Sequence, residues 1–282
     1  MEATNNPPQN VVEVTTSTTL LRILKGSVSF LFLSKAYQHW FGDAPYLAFF
    51  WDENLMRPVT HWIGISWNTY TMYANLFANG LQISIGCLFL IISVIVFFEA
   101  KMPRLTRFLS YFGAFWLFLL AFLHQKDQFY QMGQLLEYAL QIATPLIFIQ
   151  WIEKRKIDTF LYIVIGLTFS CHGLYAIGYY AIPASFIEMT LNVLNCNETQ
   201  AKLFLKIMGL LDFLASICLF FPTLRQIGLI YCILWGFLTA IARPYAYIHT
   251  DLGIANALYW LAEALCRTPH FSIPFLLYQK KL

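Results

Sequence analysis

Five ionisable residues stand out because they lie in or at the ends of apolar stretches: His172, Asp212, Arg243, Glu263 and Arg267. In a hydrocarbon setting each is costly unless paired or wetted, so such residues mark either structural networks or sites. Glu263 and Arg267 are spaced i,i+4 with the acid first, the favourable order for a helical ion pair. At 1.5 Å per residue, Asp212 and His172 each fall roughly 10 Å below one membrane face and Glu263 roughly 13 Å. Three groups on three helices thereby share a level. Arg267 is expected one turn deeper and Arg243 near the surface, bracketing them with positive charge. Two readings stay open: a structural network pinning four helices together, or a pocket for a lipophilic, polar-headed ligand such as a quinone, with His172 and Asp212 handling its proton or carbonyl. Lys35, His39, Glu137 and Gln141 are weaker analogues in the first half. No catalytic residue is assigned.

The elements that must position these residues are membrane spans. Of the 282 residues 59% are hydrophobic and only 12% charged, against about 25% charge in soluble domains; mean hydropathy is +0.58. Basic residues sit in short clusters between spans, not along a face, which argues against nucleic acid. The six cysteines show no CxxC spacing and no metal-ligand pattern. Cys87, Cys171, Cys218, Cys232 and Cys266 read as small packing residues, and only Cys196 falls in a loop. No Gly-rich phosphate loop, HExxH, GxSxG or haem motif is present, so no covalently held cofactor is expected.

Residues 1–19, polar and with Pro7 and Pro8, read as a disordered cytoplasmic N-terminus. Eight spans follow: Leu20–Trp40, Gly80–Glu99, Phe108–His124, Leu135–Trp151, Phe160–Tyr180, Leu205–Phe221, Gln226–Ala242 and Ile254–Leu277, the last interrupted by Pro269 and Pro274. Residues 41–79 form a long aromatic loop suited to the headgroup zone, with short interfacial helices. Ala181–Lys202 reads as another loop, carrying the sequon Asn197-Glu198-Thr199. Basic clusters before span 1, after spans 2, 4 and 6 and at the C-terminus place both termini in the cytoplasm.

The chain also matches itself. PRLTRFLSYFGAFWLFLLAFLHQ (Pro103–Gln125) lies over PTLRQIGLIYCILWGFLTAIARP (Pro222–Pro244) without a gap, so that Trp116 meets Trp235, Phe118 meets Phe237, Ala121 meets Ala240 and His124 meets Arg243. His39–Phe50 parallels Tyr175–Phe186, and Ala143-Thr144-Pro145 parallels Arg267-Thr268-Pro269. The expected fold is all-α integral membrane: eight transmembrane helices as two parallel four-helix repeats, residues 20–152 and 158–278, related by an axis along the membrane normal.

HGLYAIGYYAIPASF, GLLDFLASICLFF and ALCRTPHFSIPFLLY give the second half a resemblance to the DoxX-like family of four-helix membrane modules, over about Phe160–Tyr278 and faintly in the first half. The doubled form departs from the usual single unit. Relatives in that family include a membrane subunit of thiosulfate:quinone oxidoreductase, a factor for amine dehydrogenase maturation, and cargo-receptor or chaperone-like proteins. The resemblance implies a multi-pass protein of the bacterial inner membrane and leaves three functions open: a quinone-linked membrane subunit, a non-catalytic assembly or maturation factor gripping a partner protein through loop 41–79, and a transporter. Whether it is an enzyme is left open.

Overall fold

The computed structural model describes residues 9–280. The described residues form helices, turns and loops, with no strand among them. In order these are α1 (Gln9–Phe41), α2 (Leu47–Phe50), α3 (Glu53–Ile63), α4 (Trp67–Ile95), α5 (Pro103–Asp127), α6 (Met132–Leu136), α7 (Ala139–Ile152), α8 (Asp158–Ala176), α9 (Ala184–Leu194), α10 (Glu198–Cys218), α11 (Arg225–Tyr247), α12 (Gly253–Leu265) and α13 (Thr268–Gln279).

Five of these segments are long and apolar enough to cross a membrane: Trp67–Phe98, Pro103–Asp127, Met132–Ile152, Asp158–Ala176 and Arg225–Tyr247. That is compatible with a multi-pass membrane protein. The other three expected spans fold as helices but fall outside that condition, for separate reasons. In α1, Lys25, Lys35, Gln38 and His39 dilute the apolar sequence. Lys202, Lys206 and Asp212 charge α10. The eighth is two helices of 13 and 12 residues, α12 and α13, parted at Cys266 and Arg267 just ahead of Pro269; a proline tolerated in the first turn of a helix cannot extend the one before it.

Several boundaries move from their sequence-based positions. Helix α1 begins at Gln9, inside the stretch read as disordered, because no proline follows Pro8 until the helix is complete; residues 1–8 lie outside the described residues. The aromatic stretch 41–79 holds α2 and α3, and its last third is already α4, whose start is fixed by Ser66 accepting the Thr69 N–H at 3.2 Å. Asp52 caps α3 by accepting from the Leu55 N–H at 3.1 Å and pairs with Lys126 of α5 at 2.6 Å. That lysine and the capped N–H hold the Asp52 carboxyl below its ordinary value. Ala181–Lys202 is not a plain loop: α9 occupies its centre. Its sequon residue Asn197 forms a capping box with Gln200, each side chain bonded to the other's backbone N–H at 3.0 and 3.1 Å, and so starts α10.

Packing is pairwise. The most extensive contacts are α1 with α4, α8 with α10, α11 with α13 and α5 with α7; α1 also lies along α12 and α13. Close approach of α8 to α10 depends on two glycines, since a Cβ on Gly173 would sit 2.9 Å from the Gly209 carbonyl oxygen and one on Gly209 2.9 Å from that of Gly173. The apolar core is one continuous cluster, from Leu24, Phe32 and Phe89 through Phe148 and Ile165 to Leu229 and Ile273. All six cysteines are free thiols.

Candidate functional site

Asp212 is 2% exposed on α10, and Tyr231 of α11 donates its hydroxyl to Asp212 Oδ1 at 2.9 Å. The acid sits close to α8, where Gly173 leaves room: a Cβ there would lie 3.3 Å from Asp212 Cβ. His172, the preceding residue of α8, has Nδ1 2.8 Å from the Thr168 carbonyl. A carbonyl only accepts, so Nδ1 carries the hydrogen and Nε2 of the neutral ring is left as an acceptor. The His172 ring meets the His270 ring of α13 edge-on, with centroids 5.6 Å apart. His270 is 5% exposed and its Nδ1 has no hydrogen-bond partner among the described residues.

The arginines close the site. Arg243 is buried at 8% exposure; its Nη1 donates to the Thr239 carbonyl of its own helix at 2.6 Å. Among the described residues no carboxylate lies within ion-pair distance of Arg243. Arg267, at the break between α12 and α13, pairs with Glu263 at 3.8 Å, as the i,i+4 spacing predicts. Glu263 also accepts from Gln38 Nε2 of α1 at 2.5 Å, a tie between the two halves of the chain.

These residues line neighbouring spaces that share wall residues. His172, Asp212, Arg243, Arg267 and His270 surround a cavity of about 60 Å³. Arg243, Arg267, Glu263 and Glu137 line a second, of about 310 Å³, and Lys35, His124, Gln141, Glu263 and Arg267 a third, of about 200 Å³, between the two halves. Arg267 borders all three. A fourth, of about 470 Å³, is an apolar groove along α9, α10 and α11; it shares Met189, Leu205, Trp235 and Thr239 with the first. Gly236 keeps the first cavity open beside α13, for a Cβ there would come 2.7 Å from the His270 carbonyl oxygen.

All five residues singled out from the sequence therefore line these neighbouring cavities. The first-half analogues divide. Lys35, Glu137 and Gln141 join this polar region, whereas His39 is taken up structurally. Its Nε2 lies 2.8 Å from the Tyr46 hydroxyl and its Nδ1 2.7 Å from the Lys35 carbonyl, while Trp116 donates to the same Tyr46 oxygen at 2.9 Å. Sequence reasoning missed His270, Tyr231 and Gln38. A histidine three residues after Arg267 in an apolar helix was a readable signal for the first; nothing local marks the other two. Among the described residues no three His, Cys, Asp or Glu side chains converge as metal ligands do. Compared with protein-family models, with curated proteins and with solved structures, the chain matches none.

Proposed function

We propose that the chain is a doubled, DoxX-like membrane protein of eight spans, with both termini cytoplasmic, in a bacterial inner membrane, and that its second half binds a lipophilic ligand by a polar head. The observation that carries the ligand reading is that the apolar groove and the first cavity share the wall residues Met189, Leu205, Trp235 and Thr239. A tail on Phe204, Leu238 and Ile241 lies beside the ring of His172, Asp212, Arg243 and His270, the division of apolar wall and few polar groups that small-molecule sites show. A quinone is the head the family resemblance implies: its carbonyl oxygens accept hydrogen bonds, and Arg243 offers donors in the cavity. On that reading the protein is the membrane subunit through which a partner reaches the quinone pool.

Helix packing supports the doubling. The partner order α1 on α4 and α5 on α7 recurs as α8 on α10 and α11 on α13. Displaced by 123 positions, five of the seven buried residues of α4 (Ala78, Gly86, Phe89, Ile92, Ser93) fall on five of the six of α10 (Ala201, Gly209, Asp212, Ala215, Ser216). Reporter fusions after Lys156 and after Glu198 test the topology: they belong on opposite sides of the membrane, and finding both on one side removes the eight-span scheme. For the site, Asp212→Asn and His172→Ala should abolish binding of a decyl-quinone to purified protein while leaving membrane insertion intact. Full binding by both variants would exclude it.

A second reading, an assembly or maturation factor, has one observation in its favour. Leu55, Val59 and Trp62 share one face of α3 and are exposed, Trp62 at 85%. Deletion of α3 with loss of a co-purifying partner would favour that reading over an interfacial anchor.

A further inference from the structure

Resting on the reading of a lipophilic ligand held by a polar head, charge and volume in the first cavity narrow the head further. Arg243 is more than nine-tenths buried, and one of its five N–H donors is spent on the Thr239 carbonyl. The remaining donors have no hydrogen-bond partner among the described residues. The acids nearby are engaged elsewhere: Asp212 by Tyr231, Glu263 by Gln38 and Arg267, Glu137 by Gln134 at 2.8 Å. A buried guanidinium without a counter-charge is strongly unfavourable. His270, whose Nδ1 has no hydrogen-bond partner among the described residues, also lines this space. Polar groups left wanting around one cavity, with an apolar groove sharing its wall, define the missing partner: an oxyanion on a hydrocarbon tail.

We infer that the second half binds a long-chain carboxylate, its two oxygens forked on the Arg243 guanidinium and its tail in the groove between α9 and α11. A carboxylate matches a guanidinium in bidentate geometry. It is planar and compact, which suits a head space of about 60 Å³ better than a tetrahedral phosphate joined to glycerol. The groove supplies the other half of the recognition through Phe204, Leu238 and Ile241, none of them charged. Arg267 lines the same cavity but has the Glu263 carboxylate 3.8 Å away, so Arg243 is the lining arginine with no carboxylate at ion-pair distance among the described residues.

The test is a scintillation-proximity assay on detergent-solubilised full-length protein with tritiated palmitate. Saturable binding is expected, with unlabelled methyl palmitate and decylubiquinone competing at least tenfold less well than palmitate. Arg243→Gln should weaken palmitate at least tenfold and leave any methyl palmitate binding unchanged. Thr239→Leu, which fills the head space, should weaken both. Equal competition by palmitate and its methyl ester, or preference for the quinone, would overturn the carboxylate while leaving the lipophilic-ligand reading standing. Displacement by lysophosphatidate tenfold better than by palmitate would move the head to phosphate and likewise overturn it. If neither labelled palmitate nor a labelled quinone binds, both readings fall. Should Arg243→Gln not fold, the ester comparison on the unaltered protein decides alone.

Discussion

Position for position, the two hairpins of this chain solve the same packing problem in opposite ways. With Pro103–Gln125 laid over Pro222–Pro244, the cavity-lining residues Gly236, Thr239 and Arg243 of α11 fall on Leu117, Leu120 and His124 of α5, and those three line a space of about 10 Å³ where the second half keeps about 60 Å³. In the separate 123-position register that relates α4 to α10, Asp212 falls on Phe89, which packs its ring on Phe32 and His39 at 5.3 and 5.1 Å between centroids. In the first half the helix faces are closed by Leu and Phe. Around the second cavity the corresponding positions carry a glycine, a threonine and an acid, and Arg243 and His270 border the space. Side-chain volume and polarity at a handful of positions separate the filled space from the lined one, because helix backbones packed this closely leave space only where side chains are small.

Exchanging those residues breaks the comparison most directly. Gly236→Leu puts into α11 the residue that α5 carries, but its Cβ meets the His270 backbone rather than a side-chain tip. The expected result is loss of ligand binding and destabilisation by about 1–3 kcal/mol, in the range for overpacking, read as a lowered midpoint of thermal unfolding in detergent. An unchanged midpoint would mean α13 yields freely, and that the cavity is not set by this glycine.

Asp212 sharpens the contrast by a pair of variants. Asp212→Ala leaves the Tyr231 hydroxyl only the Met208 carbonyl, at 3.3 Å, and should cost about 1 kcal/mol, whereas Asp212→Asn keeps an acceptor oxygen and should unfold within about 0.5 kcal/mol of the unaltered chain. Equal losses in the two would assign the structural role to the charge instead of the hydrogen bond.

A smaller effect of opposite sign is expected at Lys35. It is 9% exposed, and its ammonium lies 5.7 Å from the centre of the Tyr138 ring. Lys35→Met removes a charge that no carboxylate balances at ion-pair distance among the described residues. It should leave stability unchanged or raise it by about 1 kcal/mol. A fall of that size would show that Lys35 is held by a partner in the membrane.

The smallest effect belongs to the Asp52–Lys126 bridge, which fastens the aromatic stretch to α5. Because the folded carboxyl is held below its ordinary value, its contribution is present above the unfolded value, near pH 4. It declines as pH falls through that value toward the folded one. Asp52→Asn should therefore exchange amide hydrogens in α3 faster than the unaltered chain at pH 6, with the difference shrinking toward pH 3. A difference independent of pH would place the bridge's role elsewhere.

Much of the fold was legible because it follows from local sequence. Apolar runs punctuated by basic clusters marked α4, α5, α7, α8 and α11, and the i,i+4 spacing marked the Glu263–Arg267 pair. The boundaries that moved did so where local signals compete: α1 continued through Thr and Ser residues that read as polar tail, and α9 formed where proline and an asparagine sequon read as loop. Of the site, the five ionisable residues were readable because charge in an apolar run is conspicuous by itself. Their partners were not, since Gln38 meets Glu263 across 225 positions of chain and Tyr231 meets Asp212 across 19.

Sequence by itself determined where the long apolar runs lie, which ionisable groups lie among them, and that Pro103–Gln125 can be laid over Pro222–Pro244 without a gap. These depend on residue type and order alone. Only the tertiary structure decided that Arg243 is buried, that His39 serves Tyr46 instead of the cavities, that the eighth segment breaks at Arg267, and that one hairpin is filled while the other is open. Those outcomes depend on how closely helices approach. That distance is set jointly by side chains from distant parts of the chain, as when Gly173 and Gly209 bring α8 against α10 and Gly236 brings α11 against α13.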